Sequence, residues 1–209
     1  MQLVAPAILI LSWTGVAIAY ALSSAGGFVP SCMPHIDGCT SISSTGRHGT
    51  GFFVFKAFMI PVALLLLVYW RLCHRWLSHH GDAAGWRNAA LALGAVGAVM
   101  LMLYTSVLGL DGDLVDELRS YGVVFFFGFT FIGSLLVTYR SAKLFGYAPA
   151  IRLQTGLALL VLVEGVILVA TSNSDRVAAV QDAAEWRFMT ALSLHPALVW
   201  LQMRRAGGG

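Results

Sequence analysis

"GFFVFKAFMIPVALLLLVYW", residues 51–70, decides how the rest of the chain is read. It is an almost unbroken apolar run that carries one lysine, Lys56, and one proline, Pro61. At 1.5 Å per residue, a helix of this length crosses about 30 Å of hydrocarbon. A water-soluble domain would have to bury such a stretch beneath a polar shell, and the composition leaves no material for one. Of the 209 residues, 58% are hydrophobic and 11% charged, whereas soluble domains carry roughly a quarter charged residues. The chain belongs in a bilayer.

Working outward from this run, five more segments have the length and character of membrane spans: approximately 3–22, 88–109, 121–139, 152–171 and 186–203. Ala19-Tyr20-Ala21 gives the first a small-x-small pattern like a cleavage site. No Lys or Arg precedes it, however, and its apolar run is too long for a secretory signal, so it reads as a span. Four of the five connections are short and force neighbouring helices antiparallel. The expected fold is an all-α integral membrane protein, a six-transmembrane-helix up-and-down bundle in which residues 1–206 form one domain. Gly207-Gly208-Gly209 reads as a cloning remnant and is set aside.

Basic residues set the orientation. Arg71, Arg75, Arg87, Arg140, Lys143, Arg152, Arg204 and Arg205 fall on one side of the expected topology. The other side has Arg47, Arg119, Arg176 and Arg187, with Asp37, Asp111, Asp113, Asp116, Glu117, Asp175, Asp182 and Glu185. Both termini are therefore expected in the cytoplasm, with the long first connection facing outward. The net charge of +3 is too small to imply a nucleic-acid partner. Cys32 and Cys39 lie in the outward connection, where an oxidising compartment makes a disulfide the default reading. Cys73, at the cytoplasmic end of the second segment, reads as an inert thiol.

Polar groups inside the predicted hydrocarbon mark the candidate site. Lys56 lies roughly 8 Å below the outer start of its helix, Glu164 roughly 10 Å below the outer end of the fifth, and His195 roughly 13 Å into the sixth. Ionisable groups at such depth face the bundle interior and pair, so a Lys56–Glu164 ion pair is expected. Pro61 and Pro196 each free a carbonyl four residues earlier, at Ala57 and Leu192, and freed carbonyls in a membrane need partners. Together these features predict a polar cavity between the second, fifth and sixth helices. Above it lies "SCMPHIDGCTSISSTGRHGTGFFVFK" (31–56). The expected ligand-binding set is Lys56, Glu164, His195, Arg47, His48, Ser43 and Thr45. A structural reading stands beside it: a buried ion pair fixing helix register, with His195 bonded to nearby backbone.

Catalysis would need a general base, for which His195, His48 and Glu164 are the candidates. Ser43 and Thr45 are the nearest hydroxyls, although turn and cap bonding is their ordinary role. Asp111, Asp113 and His35 are the weak candidates for a metal. Their spacing matches no complete ion loop, so no metal or other cofactor is expected. Ala90, Gly94, Gly97 and Ala98 form a small-residue face on the third segment, suited to close packing or to helix-mediated oligomers. The Phe run 125–131 needs only lipid and core packing to explain it. "HRWLSHH" (74–80) reads as an amphipathic, headgroup-facing cap.

The outward loop closes on Ile42-Ser43-Ser44-Thr45-Gly46, and this motif resembles the signature of the DRAM (damage-regulated autophagy modulator) superfamily. That superfamily also includes yeast suppressor-of-four-kinase proteins and proteins that remodel the lipid of GPI anchors. "GFFVFKAFMIPVALLLLVYWRL" is similar to its second helix, "YGVVFFFGFTFIGSLLVTYRSAKL" (121–144) to its fourth, and "AAEWRFMTALSLH" (183–195) to its sixth. The chain departs from the family pattern at Ser44, where an acidic residue is common, and at Tyr121, where a His is frequent. The resemblance implies a six-helix fold and a role in lipid handling, with membrane lipids as partners. The chemical alternatives are a lipid-modifying enzyme using a His base, a transporter or channel, and a non-catalytic assembly partner.

Overall fold

A computed structural model describes residues 3–171 and 177–206. Asp175 and Arg176, used above for orientation, and Gly207–Gly209 lie outside the described residues. In chain order the elements are α1 (Val4–Ala25), the single-turn helices α2 (Pro34–Asp37) and α3 (Ile42–Thr45), α4 (Gly49–His79), α5 (Ala84–Val107), α6 (Asp113–Phe145), α7 (Pro149–Ala170) and α8 (Val177–Ala206). Among the described residues every regular element is helical. Five of them, α1, α4, α5, α6 and α7, are long and apolar enough to cross a membrane. The chain is a multi-pass helical membrane protein. α8 has the length, 30 residues, but Arg187, His195 and Gln202 interrupt its apolar run.

Two helices outrun their apolar segments. α4 continues to His79, so "HRWLSHH" forms the end of a long helix, with His80 as its C-cap. There the Trp76 ring stacks on Phe145 of α6 with centroids 5.1 Å apart. α6 starts at Asp113, and Asp113 and Asp116 lie in its first turn, where carboxylates offset the positive end of the helix dipole. Pro61 and Pro196 lie inside α4 and α8, and both helices run through them.

The six long helices close a ring in chain order, because α8 returns to pack on α1. Contact is most extensive between α5 and α6 and sparsest, among ring neighbours, between α6 and α7. Small residues explain the tight side. Ala90, Gly94, Gly97 and Ala98 are all buried. A Cβ on Gly94 would collide with the Trp70 ring, and one on Gly97 would lie 2.6 Å from Thr130 Oγ1. The small-residue face, expected to suit close packing, packs against the chain's own α4 and α6.

At the end of the bundle away from the first connection, Asp82 in the α4–α5 turn accepts a 2.6 Å hydrogen bond from Arg140 Nε of α6. Arg87 also donates to the Asp82 carbonyl. Asp82 and Arg140 are both buried, and the pair holds the turn onto α6.

Candidate functional site

The first connection is folded down onto the ring by bonds to α1 and α8. Cys32 and Cys39 form the expected disulfide. The Tyr20 hydroxyl donates to the Cys32 carbonyl and accepts from the Cys32 N–H, each at 2.8 Å. Ser23 Oγ donates to the Thr45 carbonyl at 2.6 Å, and Trp186 Nε1 donates to the Thr40 carbonyl at 2.9 Å. Gly38, at φ +57°, lies so close to the Ala179 carbonyl of α8 that no Cβ fits. Ser41 caps α3 by accepting the Ser44 N–H at 3.1 Å. This cap fixes the turn that presents Ser43 and Arg47.

Beneath this loop a groove of about 570 Å³ runs along the loose side of the ring. Its upper wall is polar: Ser41, Ser43, Arg47, Gln181, Asp182 and Glu185. Its lower wall is apolar, with Val123, Phe127 and Phe131 on α6 and Val161 on α7. From 123 to 131 is about 12 Å along a helix, so the change from polar to apolar follows the bundle axis. A narrow slot continues inward between α1, α4, α5, α6 and α8. Its volume is about 60 Å³, and it is lined by side chains such as Ile8, Met59 and Leu101. Glu185, Val123, Phe127 and Leu192 border both spaces.

Glu185, one residue before the sixth apolar segment, carries the electrostatics of the upper wall. Its carboxylate accepts the Ile42 N–H at 3.1 Å. Burial, followed by the nearby Asp182, raises its pKa to about 7, against the bonds from the loop backbone and the attraction of Arg47. Burial also raises Asp182, partly offset by Arg47. Arg47 Nη2 donates to Ser43 Oγ at 3.4 Å, while its buried Nε has no hydrogen-bond partner.

Only Arg47 and Ser43 of the expected ligand set meet in this groove. Lys56 and Glu164 do not pair, which corrects the sequence-based expectation. Lys56 Nζ donates to the Ser106 carbonyl of α5 at 2.9 Å and sits 4.2 Å from the centre of the Phe52 ring. Glu164 is ion-paired at 3.0 Å with Arg187 of α8. The reason is ring order: α4 packs on α1 and α5, whereas α7 packs on α6 and α8. The cavity expected between the second, fifth and sixth helices is displaced for the same reason. His195 lies apart in the core, with Nδ1 3.1 Å from Tyr69 Oη and Nε2 3.2 Å from Thr138 Oγ1. Thr138 donates to Gln154 Oε1, which also accepts from Gln202. The chain of bonds is consistent when Nε2 carries the His195 proton. Gln154 and Gln202, both inside the expected apolar segments, were the sequence signal for this network.

His48 is exposed and stacks on Phe28, with centroids 5.5 Å apart. Thr45 is buried, its hydroxyl bonded to the Ile42 carbonyl at 2.7 Å. His35 lies against Trp13 and Trp186 and shares a 3.3 Å contact with Thr190 Oγ1. Burial, then the charge of Arg187, lowers its pKa. Asp111 and Asp113 are exposed. Among the described residues no three His, Cys, Asp or Glu side chains gather in a metal-holding group. Asp182 and Glu185, three apart on α8 and so on one face, are the charged groove residues that the expected ligand set lacked.

Fold and groove together define a class, a multi-pass helical membrane protein with a groove that is polar at the disulfide end and apolar below. Compared with family models, curated proteins and solved structures, the chain shows no match.

Proposed function

We propose that this protein binds an amphipathic membrane lipid, with its headgroup against the Arg47–Ser43–Glu185 wall and its chains along α6 and α7. The carrying observation is the change from polar to apolar along one groove, placed where ring neighbours touch least. In this reading α8 is the sixth span, both termini are cytoplasmic and the groove opens in the outer leaflet. The Cys32–Cys39 disulfide suits that orientation, because disulfides persist in oxidising compartments. So does the gathering of Lys and Arg at the opposite end of the bundle. The resemblance of Ile42–Gly46 to the DRAM first-loop motif, and the lipid role it implies, point the same way.

Gly128 gives the test. It borders the groove, and a Cβ built there meets nothing within 4 Å. Gly128→Trp fills the groove without a backbone clash and is expected to lower copurified phospholipid, measured by mass spectrometry, by half or more. Lys56→Met, on the α5-facing side, leaves it unchanged. Equal lipid content in Gly128→Trp and the parent protein would refute the proposal.

A further inference from the structure

The charges around the groove define the headgroup more narrowly, on the premise that the groove is a lipid site. Two carboxylates, Asp182 and Glu185, and one guanidinium, Arg47, line its polar wall. Above about pH 7, where Glu185 is ionised along with Asp182, the wall carries a surplus negative charge. A purely anionic headgroup would bring a second negative charge beside two carboxylates in a partly desolvated space, where like charges repel more strongly than in water. A headgroup with a positive end relieves that repulsion.

The geometry also supplies a place for the negative end. Arg47 is held by Ser43, yet its buried Nε lacks a hydrogen-bond partner. A phosphate oxygen at Nε would complete it, since a guanidinium fork matches phosphate oxygens. The positive end would meet the carboxylate oxygens of Asp182 and Glu185, which accept hydrogen bonds. Such a lining favours a group with N–H donors over a quaternary ammonium, which is better served by aromatic faces.

We infer that the groove selects a zwitterionic phospholipid ending in a primary ammonium, its phosphate on Arg47 and its ammonium between Asp182 and Glu185. Arg47 then acts as the anchor common to phospholipids and Asp182 as the discriminator.

The test is native mass spectrometry of the full chain in detergent, titrated with phosphatidylethanolamine, phosphatidylcholine and phosphatidylglycerol of identical acyl chains. Phosphatidylethanolamine is expected to be retained at roughly fivefold lower concentration than phosphatidylglycerol, the ratio one half-buried, weakly screened ionic contact supplies at least. Asp182→Asn should erase that preference while leaving phosphatidylglycerol retention equal or higher. Arg47→Gln should weaken retention of all three. Phosphatidylglycerol binding as tightly as phosphatidylethanolamine overturns the inference, and so does a preference that survives Asp182→Asn. Phosphatidylcholine matching phosphatidylethanolamine overturns the ammonium assignment. Gly128→Trp separates the two failures. If it lowers retention of all three lipids equally, the groove binds lipid without this selectivity. If it lowers none, the lipid reading itself fails.

Discussion

Glu185 sits where a buried carboxyl meets a second acid, and the consequence is a pH dependence of known sign. Its folded-state value, raised by burial and then by Asp182 to about 7, lies above that of an exposed glutamate, about 4.3. The folded protein therefore holds this proton more tightly than the unfolded chain does. Stability from this group is fully present below the unfolded value and is lost as pH rises through about 7. Glu185→Gln keeps an oxygen to accept the Ile42 N–H and removes the charge. In lipid-depleted detergent, thermal melts of the parent protein should show a loss on the order of 2 kcal/mol from pH 5 to 8. That slope should be largely flattened in the variant, with Asp182 supplying a weaker remainder of the same sign. Parallel slopes in the two proteins would show that Glu185 is ionised throughout.

Helix α5 shows what small residues do in this ring. Gly94 lies against the Trp70 ring, which is itself buried, and an added methyl has nowhere to go. Gly94→Ala should destabilise the bundle by about 1–3 kcal/mol through overpacking. Gly156→Ala on α7, where nothing lies within 4 Å, should be neutral or stabilising by up to about 1 kcal/mol. Melting both variants beside the parent protein checks the contrast, and a neutral Gly94→Ala would contradict the packing. These elements also mark how far the sequence could be read. The five apolar spans were legible because length and hydropathy belong to each segment alone. The disulfide was legible because its two cysteines share one short loop. Partners across the ring were not: depth placed Lys56 and Glu164 level with each other, but depth says nothing about which helices are neighbours. Arg187, the actual partner of Glu164, was counted with the outward charges. α8 begins at Val177, which sets Arg187 well inside a helix.

For the whole molecule, α8 is the element that decides the topology. Its hydropathy is low, yet four of its polar side chains have partners on other helices: Arg187 with Glu164, Ser193 with Trp13, His195 with Tyr69 and Thr138, and Gln202 with Gln154. These partners belong to α7, α1, α4 and α6, so Ser193, His195 and Gln202 are buried in the ring, while Arg187, with a 41% exposed side chain, meets Glu164 at its rim. A helix can be too polar by composition and still cross a bilayer when its polar groups are satisfied internally. At 30 residues α8 is about 45 Å long, more than the roughly 30 Å of the hydrocarbon core. An even number of crossings places both termini on one side, and five would separate them. Single cysteines introduced beyond Leu3 and at Arg205, in a chain with Cys73 replaced by Ser, should react alike with a membrane-impermeant maleimide. In right-side-out vesicles both should be protected until the membrane is permeabilised, whereas a cysteine at Asp113 should react at once. Opposite labelling of the two termini would remove α8 from the membrane and leave the groove without one of its walls.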